Sequence, residues 1–215
     1  MTPPSRRAVA ARVTLADDPR APRLIPVEEM FADPAFSGAS ISPDGRRLAY
    51  LAPAHGRTNV WVRGVDQDHE DAVCVTHDTR RGIRTYHWTD DPRWLLYQQD
   101  TDGNEDWHLY RIDLEAPDDP AVDLTPMGPG SRVMAVNTPT SDPGTVLVSM
   151  NRRPLFVDTF RIRIATGETT LHLQNDSMTT AYAFGPGGEA VTSESVPEGW
   201  AIRAVDASTG RQRLL

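Results

Sequence analysis

The sequence predicts an all-β fold, and three features carry that prediction. Polar turns followed by short apolar runs recur along the chain. Glycine and proline are frequent, with 15 Gly and 18 Pro among 215 residues, as expected for many strands joined by turns. Beyond residue 36, no segment keeps a 3.6-residue apolar stripe over three helical turns, so no long helix is expected there.

A tight turn leads into the first well-defined strand. Ser42-Pro43-Asp44-Gly45 has the preferences of a type I β-turn, with Pro at the second position and Gly at the fourth. The run that follows, Arg47–Leu51, is predicted to be a short strand. The same turn-and-strand pattern begins again at Thr89, Thr140 and Gly185, about 45 to 50 residues apart, and is therefore the unit of a repeat.

Each repeat contains four predicted strands. A short strand precedes the turn, two strands follow it, and a short outer strand ends the unit. Four strands in about 45 residues is the size of a β-propeller blade. We therefore predict a partial β-propeller of about four four-stranded blades, with approximate boundaries at 38–79, 82–128, 131–176 and 177–215.

The middle strands of such blades should be apolar on both faces, because a blade packs against a neighbour on each side. The runs RLAYLA and WLLYQ fit this expectation. The third blade is less regular. Pro139 stands where Ile41, Trp88 and Phe184 stand in the other units, so we expect the inner strand of that blade to be shifted or shortened.

Two segments precede the blades. Residues 1–23 are expected to form a disordered tail, since their longest apolar run is too short for a secretory signal, although an organelle transit peptide stays open. Residues 24–37 are expected to form a short helix or a lead-in segment. Pro26 suits the start of a helix, and Glu28 and Glu29 suit its first turn.

Charge and cysteine content limit the partners. The formal net charge of −8 disfavours nucleic acid and anionic membranes, because like charges repel. No run approaches the roughly 18 apolar residues of a membrane span. The single cysteine, Cys74, excludes an intrachain disulfide framework and fits a reducing compartment, so a cytoplasmic protein is expected.

Two stretches carry a family resemblance. FADPAFSGASISPDGRRLAYLA (31–52) and YHWTDDPRWLLYQQDTDGNEDWHLYRIDL (86–114) resemble the N-terminal propeller of the prolyl oligopeptidase family of serine peptidases, and its acylaminoacyl-peptidase-like branch in particular. The resemblance is strong over residues 24–128, and YQQDTDGNEDWHLYRIDL is its most specific part. It implies a ring of usually seven blades that caps a later α/β-hydrolase domain with a Ser-Asp-His triad. Such a propeller admits short peptides and excludes folded proteins.

The chain departs from that family pattern because it has about four blades and no G-x-S-x-G nucleophile elbow. The nearest match is Gly38-Ala39-Ser40-Ile41-Ser42, which ends in serine and is not followed by a helix. Ser40 is therefore expected to be an ordinary inner-strand residue. We predict no catalytic, cofactor-binding or metal-binding residues and no peptidase activity for the chain alone.

Two groups of residues have side chains that metals bind. His69, Cys74 and His77 are weak candidates for zinc, since Cys74 is predicted to lie within a strand and His77 would then point to the opposite face. The acidic loop 100–106 lacks Gly and Glu at the positions that an EF-hand requires. An irregular calcium loop stays open there.

The expected role of loop 100–106 is the hairpin between the second and third strands, with its turn at Asp102-Gly103. Trp88, Trp94 and Trp107 lie in the same predicted blade and are expected to pack in the core rather than form a ligand platform.

Glu28-Glu29 resembles the paired glutamates with which the dipeptidyl-peptidase branch holds a substrate amine. In that branch the pair lies within the propeller sequence, whereas here it precedes the first blade. The amine-binding role is therefore not transferred to these residues.

Three functional hypotheses follow. The chain is the non-catalytic gating portion of a serine peptidase, a free-standing protein-binding propeller similar to those of the Tol system, or a truncated remnant without a function. The first hypothesis implies a C-terminal α/β-hydrolase domain and short peptide substrates as partners. Four blades of a wider ring would also leave two blade faces uncovered, so self-association through those faces is expected.

Overall fold

In the computed structural model, the described residues are 25–31, 34–138, 142–153, 155–175, 179–185, 189–206 and 208–215. The chain divides into two compact units, residues 1–34 and 35–215. In the first unit, helix α1 spans Val27–Met30 after Pro26, with Glu28 and Glu29 in its first turn. The predicted tail, residues 1–23, lies outside the described residues.

The second unit consists of four four-stranded antiparallel sheets, each with its strands in sequence order. Blade 1 contains β1 (Ser37–Ile41), β2 (Arg47–Ala54), β3 (Arg57–Gly64) and β4 (Val73–Cys74), with a 3-10 turn at His69–Asp71. Blade 2 contains β5 (Tyr86–Trp88), β6 (Trp94–Gln99), β7 (His108–Asp113) and β8 (Val122–Asp123).

Blade 3 contains β9 (Val133–Asn137), β10 (Thr145–Arg153), β11 (Phe156–Arg163) and β12 (Thr169–Leu173). Blade 4 contains β13 (Thr179–Phe184), β14 (Ala190–Val196), β15 (Gly199–Val205) and β16 (Gln212–Leu214). The predicted all-β fold of four four-stranded blades is confirmed.

The turn that opened the repeat has the predicted geometry. The Gly45 N–H donates to the Ser42 carbonyl at 2.8 Å and closes the turn, and Gly45 has a φ of 73°, which favours glycine. The Ser42 hydroxyl donates to Asp44 at 2.6 Å and accepts from the Arg47 N–H at 2.9 Å. The bond from Ser42, with the Arg46 N–H, lowers the pKa of the Asp44 carboxyl.

The core lies between successive blades. Ala49, Leu51, Val60 and Val62 of blade 1 pack with residues of blade 2, among them Leu95 and Ile112. The opposite face of blade 2, through Leu96 and Leu109, packs with blade 3 in a second cluster. Neighbouring residues of one strand, Leu95 and Leu96, are thus both fully buried on opposite faces, as the apolar middle-strand pattern predicted.

The inner strand of blade 3 ends early relative to β1. β9 pairs with β10 as far as Asn137 with Leu147, whereas β1 continues to Ile41 opposite Leu48, one position closer to the turn. β9 still has five residues, as many as β1. Pro139, on which the expectation of an irregular strand depended, lies outside the described residues.

Candidate functional site

The antiparallel connections give the blades two distinct ends. We call the end with the first-to-second-strand turns and the third-to-fourth-strand loops the turn rim. It includes residues 42–46, 64–72, 89–93 and 114–121. The hairpin rim, at the other end, carries the second-to-third-strand hairpins and the connections between blades, including residues 75–85, 99–107 and 124–132.

The acidic loop 100–106 forms a hairpin on the hairpin rim, with its turn at the predicted place. The Asn104 N–H donates to the Thr101 carbonyl at 3.1 Å, and the two central residues, Asp102 and Gly103, have φ values of 55° and 86°. Positive φ at both central positions is the geometry of a type I′ hairpin turn.

This hairpin clamps the blade connections on both of its sides. Toward the blade 1–2 connection, Asp102 pairs with Arg80, and Asp100 lies 3.8 Å from Arg81. Toward the blade 2–3 connection, Glu105 lies 3.4 Å from Arg132, and Asp106 accepts from the Gly130 N–H at 3.0 Å. We call these contacts the hairpin clasp.

The calcium interpretation of loop 100–106 does not fit this geometry. Its carboxylates point to arginines and backbone N–H groups on different segments instead of converging on one point. In the part of the chain that the structure describes, no group of three or more His, Cys, Asp or Glu side chains could hold a metal ion. The acidic run is explained by contacts within the protein.

The first zinc candidate also disperses among the described residues. His69 stacks edge-on against Phe36, with ring centroids 5.1 Å apart, while His77 is exposed on the other side of β4. The Cys74 thiol donates to the Thr76 carbonyl at 3.0 Å, and burial raises its pKa. A thiol in this setting is a packed, weakly reactive group.

Ser40 contacts the next blade rather than a catalytic partner. Its hydroxyl lies 2.8 Å from the Tyr86 hydroxyl, which also donates toward the Gly38 and Ala49 carbonyls. Burial raises the pKa of Tyr86, so the phenol stays protonated. Ser40 therefore joins the inner strands of blades 1 and 2.

The three tryptophans of blade 2 lie in three places and do not form one platform. Trp88 and Trp94 pack at the margins of two separate core clusters, as expected for core residues. Arg93 and Arg111 lie over the Trp94 ring, each 4.5 Å from a ring centroid. Trp107 lies on the hairpin rim, where Arg84 is 5.7 Å from its ring.

A buried polar side chain in the third strand of blades 1 to 3 was missed at the sequence level. The strand pairing places Asn59, His108 and Asp158 at the same position, and each bonds to the outer-strand side of its blade. We call this position the latch. Aligning the strands from Asn59 and Asp106 was wrong by two residues, whereas counting from the turns would have found it.

Asn59 makes the most complete latch. Its amide nitrogen donates to the carbonyls of Ala54, Arg57 and Asp78, and its amide oxygen accepts from Thr76 at 2.9 Å and from the Asp78 N–H at 2.8 Å. Because Asn59 is fully buried, these bonds leave its polar atoms satisfied.

The other two latches use charge. His108 lies 2.7 Å from Asp123 on the outer strand of blade 2. Asp158 accepts two bonds from Arg153, each 2.7 Å, and one from the Asn175 N–H at 2.8 Å. Burial alone would raise the pKa of Asp158, but these bonds outweigh it and the pKa is lowered.

Blade 4 differs from the other blades at both its latch and its outer face. Its turn is one residue shorter, since the Gly185 N–H bonds to the Glu189 carbonyl where the Ser42 N–H bonds to the Arg47 carbonyl. With that offset, the apolar Ala201 occupies the latch position. Ile202, at the position of the fully buried Val60, is 49% exposed.

The sequence is related to that of a peptidase. It is 37% identical over 177 residues to dipeptidyl aminopeptidase BIII of Pseudoxanthomonas mexicana, a match that covers 82% of this chain and 25% of the relative. The chain belongs to the prolyl oligopeptidase family, as a portion of its propeller. It spans about a quarter of the length of the curated relatives it matches. No family model matches the chain.

Solved structures share the fold of this family member. Puromycin hydrolase superimposes with a TM-score of 0.56 and 20% identity, over 83% of this chain and 28% of that one. TolB of Acinetobacter baumannii gives a TM-score of 0.56 and 14% identity, over 84% of this chain and 43% of that one. The acylaminoacyl-peptidase-like branch stays a prediction, because the relative is named as a dipeptidyl aminopeptidase. Within the described residues, no helix has the length and apolar character of a membrane span.

Proposed function

We propose that this chain is the access-controlling propeller portion of a serine peptidase that cleaves short peptides. The observation that carries the proposal is the 37% identity over 177 residues to a dipeptidyl aminopeptidase. A Ser-Asp-His triad in an α/β-hydrolase domain outside these 215 residues would supply the chemistry, and about three further blades would complete the ring. The chain alone is expected to be inactive.

The hairpin clasp supports a steric role. A gate that excludes folded proteins needs a wall that does not open easily between blades. Asp102 and Glu105 contact the connections on both sides of blade 2, and the Asp78 carboxylate accepts from Gln99 of blade 2 at 2.8 Å. Such contacts oppose the separation of neighbouring blades, so only a flexible peptide would pass through the ring.

The turn rim adds an electrostatic preference to this steric role. Exposed carboxylates are concentrated there, for example Asp66, Asp68, Glu70 and Asp71 in one loop of blade 1. A cationic or neutral peptide would approach this rim more readily than an anionic one. Because exposed charges are screened over about 8 Å at physiological ionic strength, added salt should weaken the preference.

A cytoplasmic location is part of the proposal. The single cysteine supports it, since Cys74 is partly buried with a raised pKa and suits a reducing compartment as an ordinary packing residue.

A free-standing binding propeller is the second candidate function. The likeness to TolB favours it, although at 14% identity that likeness concerns the fold alone. A binding propeller would retain a protein partner from solution while showing no dependence on a hydrolase domain. The two candidates therefore differ in whether the reading frame of the parent protein encodes G-x-S-x-G followed by Asp and His.

The gating proposal is tested in the parent enzyme with two substrates, a short blocked peptide and a folded protein that contains the same cleavable sequence. We expect cleavage of the peptide and little cleavage of the folded protein. Weakening the clasp with Arg80→Gln and Arg132→Gln should raise the protein-to-peptide cleavage ratio.

The matched control, Arg46→Gln and Arg211→Gln, removes the same charge at exposed positions outside the clasp and should leave that ratio unchanged. Equal cleavage of both substrates by the unmodified enzyme would refute gating. A parent frame without the serine motif would refute the enzyme assignment and favour the binding propeller.

A further inference from the structure

Blade 4 has one buried and one exposed face. Ala190, Thr192 and Val205 face blade 3 and are at most 4% exposed. The opposite face is defined by Val191, Ser193, Trp200, Ile202 and Ala204, which the strand pairing places on one side of the sheet. We call it the forward face, because the corresponding face of each earlier blade points to the next blade.

Large apolar side chains of the forward face are open to solvent. Trp200 is 67% exposed, Ile202 49% and Val191 38%. Together they expose on the order of 300 Å² of side-chain surface, which is the size of the largest patches on ordinary monomers and is often functional. Among the described residues that pairing assigns to this side of the sheet, only Arg213, opposite Ala204, is charged.

The same positions in the earlier blades identify the kind of surface that fits here. Val60, Leu109 and Thr159 correspond to Ile202 in blades 1, 2 and 3, and each is completely buried against the following blade. The forward face of blade 4 continues this series of interfaces. Its shape and polarity therefore suit the face of another β-sheet packed about 10 Å away.

The corresponding free surface at the other end of the repeat is partly covered. On the rear face of blade 1, the ring of Phe36 packs edge-on against Tyr50, with centroids 5.4 Å apart, and Tyr50 is only 5% exposed. His69 adds a second contact to Phe36 at 5.1 Å. A second copy approaching this face with its blade 4 would have to displace Phe36.

We infer that the 215-residue chain forms a two-fold dimer in which the forward faces of two blades 4 pack against each other, with Trp200 as the central anchor. The nearly uncharged face brings two copies of net charge −8 together without placing carboxylates in contact. A two-fold contact of one face with itself is closed, so association stops at two copies. This inference does not depend on the proposed peptidase function.

The dimer is expected to be weak. One sheet face is smaller than the roughly 800 Å² per partner of a standard interface, so we expect a dissociation constant on the order of 10 µM. Because the contact is apolar and both copies are acidic, added salt should strengthen it. A dimer held by ion pairs would respond in the opposite direction.

Sedimentation velocity over about 1 to 100 µM protein tests the inference. We expect a shift from the 23.8 kDa monomer to a species of twice that mass, and no larger species. Trp200→Ser and, separately, Ile202→Ser should each weaken the dimer, Trp200→Ser by about tenfold or more. Both side chains are largely exposed in the monomer, so far-UV circular dichroism and the thermal midpoint should stay near those of the unmodified chain.

Two control variants remove exposed apolar side chains elsewhere. Leu155→Ser, at a hairpin position that is 91% exposed, and Ile41→Ser, on the rear face of blade 1 and 60% exposed, should leave the dimer unchanged. A monomer at every concentration would overturn the inference. So would growth beyond two copies, or an Ile41→Ser chain as weakened as Trp200→Ser, because both would mean head-to-tail packing.

Discussion

Val60 of blade 1 and Ile202 of blade 4 occupy the same position of a third strand, yet Val60 is fully buried and Ile202 is 49% exposed. Both lie on the forward face of their blade, and both are β-branched residues that suit a strand. Blade 2 covers Val60, whereas no described segment of the chain covers Ile202. Burial of a blade face is therefore a property of its neighbour and not of the strand that carries it.

The latch position separates the same two blades. Asn59 fastens the third strand of blade 1 to the start of the next connection through five hydrogen bonds. Ala201 at this position of blade 4 has no polar group to offer. All three residues of the outer strand β16 are exposed. Where both of its faces are covered, a blade also carries a polar fastening for its outer edge.

The largest expected difference is between Leu109→Ala and Ile202→Ala. Leu109 is fully buried between blades 2 and 3, so truncation should lower the free energy of unfolding by about 3 kcal/mol, from lost burial and a cavity. Ile202→Ala, at the corresponding position of blade 4, should change it by less than about 1 kcal/mol. Urea unfolding of both variants measures the difference. Equal losses would mean that the forward face of blade 4 is buried in solution.

Asn59→Ala converts the latch of blade 1 into that of blade 4. It removes five hydrogen bonds and leaves buried groups of Thr76 and Asp78 without their partner, so we expect a loss of about 2 kcal/mol. Hydrogen exchange should show the loss of protection at the Val75 N–H, which donates to the Val60 carbonyl. The reciprocal change, Ala201→Asn, is the control. It should not destabilise the chain comparably, and an equal loss would contradict the latch.

Asp158→Asn tests the charged latch of blade 3 through its pH dependence. At neutral pH the variant should lose about 1.5 kcal/mol, a value discounted because Arg153 is partly exposed. The pKa of Asp158 is lowered in the folded chain, so its contribution is present above the unfolded value of about 3.9 and is lost as pH falls through the folded value.

The stability difference between the unmodified chain and Asp158→Asn should therefore shrink as the pH falls from about 6 toward 3. Denaturant unfolding at each pH gives this difference directly. A difference that is constant across the range would show that the carboxylate charge does not stabilise blade 3.

Phe36→Ser should have the smallest effect, because Phe36 is itself about half exposed. Losing its edge-to-face contact with Tyr50 should cost about 1 kcal/mol or less. The variant would make the rear face of blade 1 resemble the forward face of blade 4. Sedimentation should then show species larger than a dimer at high concentration, and their absence would mean that Phe36 is not what keeps the rear face from associating.

Local chemistry made several elements predictable from the sequence. The Ser42-Pro43-Asp44-Gly45 turn and the turn at Asp102-Gly103 depend on backbone preferences of a few adjacent residues, which act wherever the segment lies. The four-fold repeat predicted four blades because each copy carries its own turn and strands. The adjacent apolar pair Leu95 and Leu96 predicted a blade buried on both sides.

Other features depended on residues far apart in the chain, and only the tertiary structure decided them. The acidic loop 100–106 could have held calcium or served as a hairpin until Arg80, Arg81 and Arg132 were placed beside it. The latch required the register between strands, which a shift of two residues in the alignment had hidden. Ile202 and Val60 are equally suited to a core, so their difference in exposure comes from the presence or absence of a packed neighbour, which no local pattern contains.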